Sequence, residues 1–264
     1  MSDAITDAMN DAATARRALP LIDLTNLEDD CTPADIRALA ARAETPHGKV
    51  AALCVWPDFV ELSADLVSGT GIDVATVVNF PGGDRPLSEV VALTRRCVAA
   101  GATEIDTVIP RADGDAVIAA HVEAVREACG PARLKTILET GEMGSEMGGG
   151  MGGEAAIRTA SRLCIEGGAD FIKTSTGKVA VNATPEAARW MLEEIRDSGR
   201  HGVGLKPAGG IRTVADAAAY LALSDQVMGE GWARKATFRF GASSLLGNVL
   251  ALLGQGGGAA PGGY

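Results

Sequence analysis

Two hydrophobic periods alternate along the chain. Short apolar runs recur at intervals of roughly 25–35 residues, the length of a strand plus a crossover helix. They are LPLIDLT (Leu19–Thr25), KVAALCVW (Lys49–Trp56), DVATVVNF (Asp73–Phe80), EIDTVIP (Glu104–Pro110), RLKTILET (Arg133–Thr140), DFIKTS (Asp170–Ser175), GVGLKPAG (Gly202–Gly209) and FRFGASS (Phe238–Ser244), eight in all. Between them lie Ala-rich amphipathic stretches such as TPADIRALAARAE, DAVIAAHVEAVREAC and TPEAARWMLEEIRDSG. TPAD and TPEA are good helix starts: a Thr cap, Pro at the first helical position, then an acid. Eight strands alternating with helices predict an α/β fold, a single-domain (β/α)8 TIM barrel over residues 1–264. A doubly wound open sheet competes, but it usually carries a Gly-rich phosphate turn after its first strand, and NLEDDCTP has no glycine. Residues 1–18 read as an N-terminal helical extension and 254–264 as a flexible Gly-rich tail. The Gly/Met insert GEMGSEMGGGMGG (Gly141–Gly153) is expected to be a mobile loop on the strand C-terminal side.

Both faces of a barrel strand are covered, so its polar residues are the informative ones. The period of two sorts them. Asp23 and Thr25 share a parity, as do Ala52, Cys54 and Trp56, and Asp106 with Val108. Lys135, Ile137 and Glu139 form another such set, as do Phe171, Lys173 and Ser175, and Gly204 with Lys206. Mostly aliphatic residues such as Ile22, Leu24, Ile105, Leu134, Ile172 and Leu205 occupy the other parity. The pattern therefore predicts Asp23, Asp106, Lys135, Lys173 and Lys206 inside one barrel. A single strand lysine more often snorkels out at a strand end, and a single aspartate more often caps a turn. A cluster is different, because several buried charges are costly unless they serve one another.

Composition narrows the function classes. Hydrophobic residues make up 47% of the chain, enough for a full core. The net charge of -10 argues against nucleic acid or anionic membranes as partners. An anionic ligand would therefore need local cations or helix N-termini. The five cysteines are odd in number, widely spaced and form no CxxC pair, which suits free thiols in a reducing compartment. No apolar run approaches a membrane span, and the first residues lack a signal-peptide core. The expectation is a cytoplasmic protein.

Two neighbouring lysines make a specific device. Each cation disfavours charge on the other, and burial does the same, so one can fall from about 10.4 toward about 7. A free amine attacks a carbonyl to give a Schiff base, an electron sink, and a carboxylate with an ordered water can move the protons. Asp106 has the best parity for that task and Asp23 is a supporting candidate. On the ligand side, GASS (Gly241–Ser244) opens the helix LLGNVLALL, and AGGIRT (Ala208–Thr213) follows strand seven with two glycines and Arg212. Loops after strands seven and eight are the usual barrel phosphate site. STGK (Ser175–Lys178) fails the P-loop pattern, since Ile172 stands at the first Gly position and Val179 follows the lysine. Lys178 reads instead as an anion contact. His47, His121 and His201 fall in predicted loops or helices and form no metal or triad constellation, and no cofactor is expected.

ADFIKTSTGKVAVNATPE, GLKPAGGIRT, EIDTVIP, VVNFPGG and RFGASSLL, spread over nearly the whole chain, resemble the 2-deoxyribose-5-phosphate aldolase family of class I aldolases. The resemblance implies a metal-free (β/α)8 barrel that reversibly cleaves a deoxysugar phosphate to acetaldehyde and glyceraldehyde 3-phosphate. It implies Lys173 as the Schiff-base residue, Lys206 as its pKa-lowering partner, Asp106 as proton shuttle and Asp23 as support. It matches Gly177, Lys178, Gly209, Gly210, Ser243 and Ser244 to the phosphate. Thr176, Arg212, Gly241 and Cys54 complete the expected substrate contacts. Tyr264 matches a C-terminal tyrosine thought to exchange protons at the enamine carbon. The class implies at most a homodimer. The chain departs from the pattern in its Gly/Met insert, in Glu28 where a smaller polar residue is expected, and in the Gly-rich run before Tyr264. A transaldolase-like enzyme and a non-catalytic sugar-phosphate-binding barrel are the competing expectations.

Overall fold

Threonine caps set the helix starts. Thr32 accepts from the Asp35 amide while the Asp35 carboxylate accepts from the Thr32 amide, and Pro33 follows at the first helical position. Thr184 caps through the Ala187 amide, and Thr213 and Asp216 repeat the capping box. The computed structural model describes residues 11–143 and 152–255. The strands are β1 (Ile22–Asn26), β2 (Ala52–Val55), β3 (Asp73–Val78), β4 (Glu104–Val108), β5 (Arg133–Ile137), β6 (Phe171–Lys173), β7 (Gly204–Lys206) and β8 (Phe240–Ala242). The helices that follow them in turn are α1 (Pro33–Ala43), α2 (Val60–Leu66), α3 (Leu87–Ala99), α4 (Asp115–Cys129), α5 (Gly152–Glu166), α6 (Pro185–Asp197), α7 (Val214–Met228) and α8 (Leu245–Gln255).

All eight strands run parallel in the order β8-β1-β2-β3-β4-β5-β6-β7. The ring closes through bridges from Leu205 to Phe238 and from Ala208 to Gly241. The expected (β/α)8 barrel is the observed fold. Residues 11–18 are helical and lead into a 3-10 turn at Leu19–Leu21. A small antiparallel ribbon, Glu44–Thr45 with Gly48–Lys49, precedes β2 and takes up Lys49, which the apolar pattern assigns to the strand itself. β6 and β7 are shorter than their apolar runs, because Thr174, Ser175 and Ala208 already belong to the loops at the barrel mouth.

Two cores result. The larger lies between sheet and helices and takes the aliphatic parity: Ile22, Leu24, Ile105, Leu134, Ile172 and Leu205. The smaller fills the barrel interior with Ala52, Cys54, Ala75, Val77, Val108 and Ile137. Register then levels the polar residues. Asp106 pairs with Lys135, Lys135 with Phe171, and Lys173 with Lys206. Lys173 therefore stands two residues, about 6.6 Å, above the Phe171 layer, toward the strand C-termini where barrel loops form sites.

Candidate active site

Asp23, Asp106, Lys135, Lys173 and Lys206 are all buried within the barrel, and they form one network. Asp106 Oδ2 accepts from Lys173 Nζ at 2.8 Å and from Lys206 Nζ at 2.8 Å. Lys206 Nζ also reaches Asp23 Oδ2 at 2.6 Å. Lys135 Nζ lies 3.2 Å from Asp23 Oδ2 and 3.2 Å from Asp106 Oδ1, and it pairs with Glu104 Oε2. The contact to Asp106 Oδ1 is an ion pair without hydrogen-bond geometry, so that buried oxygen accepts no hydrogen bond. One carboxylate oxygen thus bridges the two upper lysines while the other faces the Lys135 ammonium.

Sequence reasoning missed the layer below. Arg239 is fully buried and joins Asp23 Oδ1 at 2.6 Å, Glu104 Oε1 at 2.7 Å and Asp73 Oδ2 at 3.2 Å. Its guanidinium stands 5.6 Å from the Phe171 ring centroid, and Lys135 Nζ stands 5.9 Å from the same ring. The signal was available: Glu104 shares the parity of Asp106, and Arg239 lies two residues before Gly241. Each sits at the start of its apolar run, where a charge reads as a solvated strand end.

The electrostatics separate the two lysines at the top. Burial pulls the Lys173 amine below its ordinary value; Asp106 opposes this and the Lys206 charge adds to it. Burial acts on Lys206 in the same direction, but Asp106 and Asp23 outweigh it and hold that ammonium well above the lysine range. Burial would raise Asp106, yet Lys135, Lys173 and Lys206 together drive it far below the carboxylate range. Asp23 is held well down against burial by Lys135, Lys206 and Arg239. The centre therefore holds one amine biased toward its free base beside a fixed cation and a fixed anion.

Lys173 reaches a cavity of about 320 Å³ at the mouth, which is also lined by Thr25, Leu27 and Glu28. The expected ligand contacts Thr176, Gly177, Lys178, Gly209, Gly210, Arg212, Gly241, Ser243 and Ser244 line it too. Ser243 and Ser244 line the cavity and directly precede Leu245, the first residue of α8, so the positive end of that helix begins at the cavity's edge. Gly209 has φ +80°, and a Cβ there would stand 2.6 Å from the Asn182 side chain, which excludes other residues from this turn. Lys178 Nζ donates to the Leu27 carbonyl at 2.8 Å, across the cavity rim. Cys54 does not line the cavity. It lies in the interior apolar cluster near both upper lysines, and burial pushes its thiol up. The described cysteines are free thiols. Among the described residues no cluster of three or more His, Cys, Asp or Glu side chains could hold a metal, and no helix is long and apolar enough to cross a membrane. Tyr264 and residues 144–151 of the Gly/Met insert lie outside the described residues.

Fold and site together define a barrel enzyme built on a buried amine–carboxylate centre that opens on an anion-suited mouth. The sequence model of the DeoC/LacD family aldolases matches residues 17–248. The chain is 51% identical over 248 residues to the deoxyribose-phosphate aldolase of Agrobacterium fabrum, covering 92% of each chain. A crystal structure from Toxoplasma gondii ME49, assigned as a deoxyribose-phosphate aldolase, superposes with a TM-score of 0.83 at 25% identity, over 94% of this chain and 97% of that one. A tetrameric deoxyribose phosphate aldolase from Aeropyrum pernix shares the fold, with a TM-score of 0.72 at 23% identity over 93% and 91% of the two chains. The chain belongs to the DeoC/LacD aldolase family.

Proposed function

We propose that this aldolase reversibly cleaves 2-deoxy-D-ribose 5-phosphate to acetaldehyde and D-glyceraldehyde 3-phosphate through a Schiff base on Lys173. The observation that carries the reading is the position of Lys173. It is biased toward its free base by burial and by Lys206, it is 2.8 Å from Asp106, and it faces a cavity lined by Gly177, Gly209, Gly210, Lys178 and Arg212. The 51% identity to a deoxyribose-phosphate aldolase supports the substrate.

In this mechanism the Lys173 amine attacks the C1 aldehyde of the open-chain sugar. Asp106 moves protons through water until the carbinolamine loses its hydroxyl and the iminium forms. The C3 hydroxyl then loses its proton, and the C2–C3 bond breaks as glyceraldehyde 3-phosphate leaves. The bonding electrons run into the iminium and give an enamine. Protonation at C2, with Tyr264 as the proposed donor, and hydrolysis of the imine release acetaldehyde and the free amine. Lys206 stays charged throughout and keeps Lys173 from holding its proton. Asp23 anchors Lys206 from the other side. Gly177, Lys178, Gly209, Gly210, Arg212, Ser243 and Ser244 receive the phosphate, Thr176 and Gly241 complete the substrate contacts, and Cys54 packs in the apolar interior beneath them instead of touching substrate. Free thiols suit a reducing compartment, and we place the enzyme in the cytoplasm, in deoxyribose phosphate catabolism.

Borohydride reduction in the presence of acetaldehyde, followed by peptide mass mapping, tests the assignment. A reduced adduct on Lys173 is the expected result. An adduct on Lys135, or none, overturns it.

A further inference from the structure

Glu139 has no part in the chemistry above, yet its geometry is unusual. It follows β5 on the inward parity of Lys135, is 1% exposed, and adopts φ +60°, a left-handed conformation that a glutamate rarely takes. Among the described residues its carboxylate hydrogen-bonds only Thr176, with the Arg111 and Lys173 charges acting on it from farther off. Oε2 accepts from the Thr176 hydroxyl at 2.5 Å, and the two oxygens accept from the Thr176 amide at 3.2 and 3.3 Å. The Thr176 hydroxyl in turn accepts from the Lys178 amide at 3.0 Å.

These bonds settle which amides of the turn remain for a ligand. The Thr176 and Lys178 N–H groups are used internally. Gly177 lies between them, exposed, at φ +87°, and its N–H donates to no described residue. All three residues line the mouth cavity. The Lys178 ammonium is held by a neutral carbonyl at Leu27 and can exchange that partner for an anion, which is the stronger acceptor.

We propose that Glu139 is a positioning residue for the substrate's phosphate. By gripping Thr176 at both its amide and its hydroxyl, it sets the Thr176–Lys178 turn so that the Gly177 amide and the Lys178 side chain converge on the anion. This inference rests on the sugar-phosphate reading of the mouth. It assigns Glu139 to selectivity for phosphorylated over unphosphorylated substrates, with no part in imine chemistry.

The test compares cleavage of 2-deoxyribose 5-phosphate with cleavage of unphosphorylated 2-deoxyribose in wild type, Glu139→Ala and Glu139→Gln. Glu139→Ala is expected to raise KM for the sugar phosphate by roughly ten-fold or more, the size of a lost charge-assisted contact. Its kcat, and its kcat/KM for 2-deoxyribose, should stay within about three-fold of wild type, a change too small for a lost contact. Glu139→Gln keeps an acceptor for Thr176 and should restore most of KM. Equal losses on both substrates, an unchanged KM, or a Gln variant as impaired as Ala would overturn the proposal. If Glu139→Ala does not fold, Thr176→Val cuts the same link from the other side and must show the same phosphate-dependent loss. Thermal stabilisation by inorganic phosphate reads the mouth's anion affinity independently of catalysis. It should shrink in the Glu139→Ala or Thr176→Val protein even if wild type fails to trap acetaldehyde on Lys173.

Discussion

At the scale of single residues, the decisive fact is that two lysines on one aspartate oxygen are driven in opposite directions. Titratable neighbours whose environments push them apart mark acid and base roles. Lys206 has two carboxylates and stays an ammonium; Lys173 shares one and feels the Lys206 charge. Replacing Lys206 with Leu removes that charge and leaves Asp106 Oδ2 to Lys173 alone. Both effects stabilise the Lys173 ammonium. The pH at which imine formation reaches half its maximum should move upward, and a rise of one pH unit there slows trapping near neutral pH by about ten-fold. A pH profile of acetaldehyde trapping measures it, and an unmoved profile would remove Lys206 from the role.

At the scale of elements, the upper pair stands on a lower layer that strands β1, β3, β4, β5 and the segment leading into β8 build together. Arg239 ties Asp23, Glu104 and Asp73 from three different strands. Taking one partner out of a buried ion cluster leaves carboxylates uncompensated in low dielectric. Arg239→Met should therefore cost about 3–5 kcal/mol of stability. For a chain of this size that corresponds to a fall in Tm on the order of 10 °C, read by calorimetry. A loss of only one or two degrees would mean that Lys135, Arg133 and Lys235 already neutralise the layer without it.

At the scale of the whole molecule, stability should fall in two stages as pH drops. His121 on α4 is 3% exposed, bonds the Thr107 hydroxyl at 2.9 Å, and is pushed by burial from 6.5 to about 4. Its neutral form belongs to the folded state. Above pH 6.5 it costs nothing; between 6.5 and about 4 the unfolded chain takes up a proton that the folded chain does not, a loss of up to about 3 kcal/mol. Asp23 and Asp106 are depressed, so their contribution is present above the ordinary value of 3.8 and lost as pH falls through and below it. Urea unfolding across this range should show both stages. His121→Gln should flatten the upper stage and leave the lower one in place.

The barrel was legible in the sequence because both of its periods are local. Apolar runs bounded by capped amphipathic helices determine strand and helix, and the strand period of two determines which charges enter the interior. That local pattern sufficed to name Asp23, Asp106, Lys135, Lys173 and Lys206 as one inward set. It left three lysines equivalent, and the family resemblance rather than the periodicity singled out Lys173. Glu104 and Arg239 escaped notice because a charge at the start of an apolar run looks like a solvated end until a neighbouring strand covers it. Glu139 shared the Lys135 parity but carried no legible task, because that task depends on Thr176, 37 residues away, brought beside it only when β5 and β6 pair. Tertiary structure alone decided which lysine shares its aspartate, which one has two carboxylates, and which opens onto the mouth. Those are distances and burial among residues as far apart in the chain as Asp23 and Lys206, and electrostatic energy depends on such separations in space rather than on position along the chain.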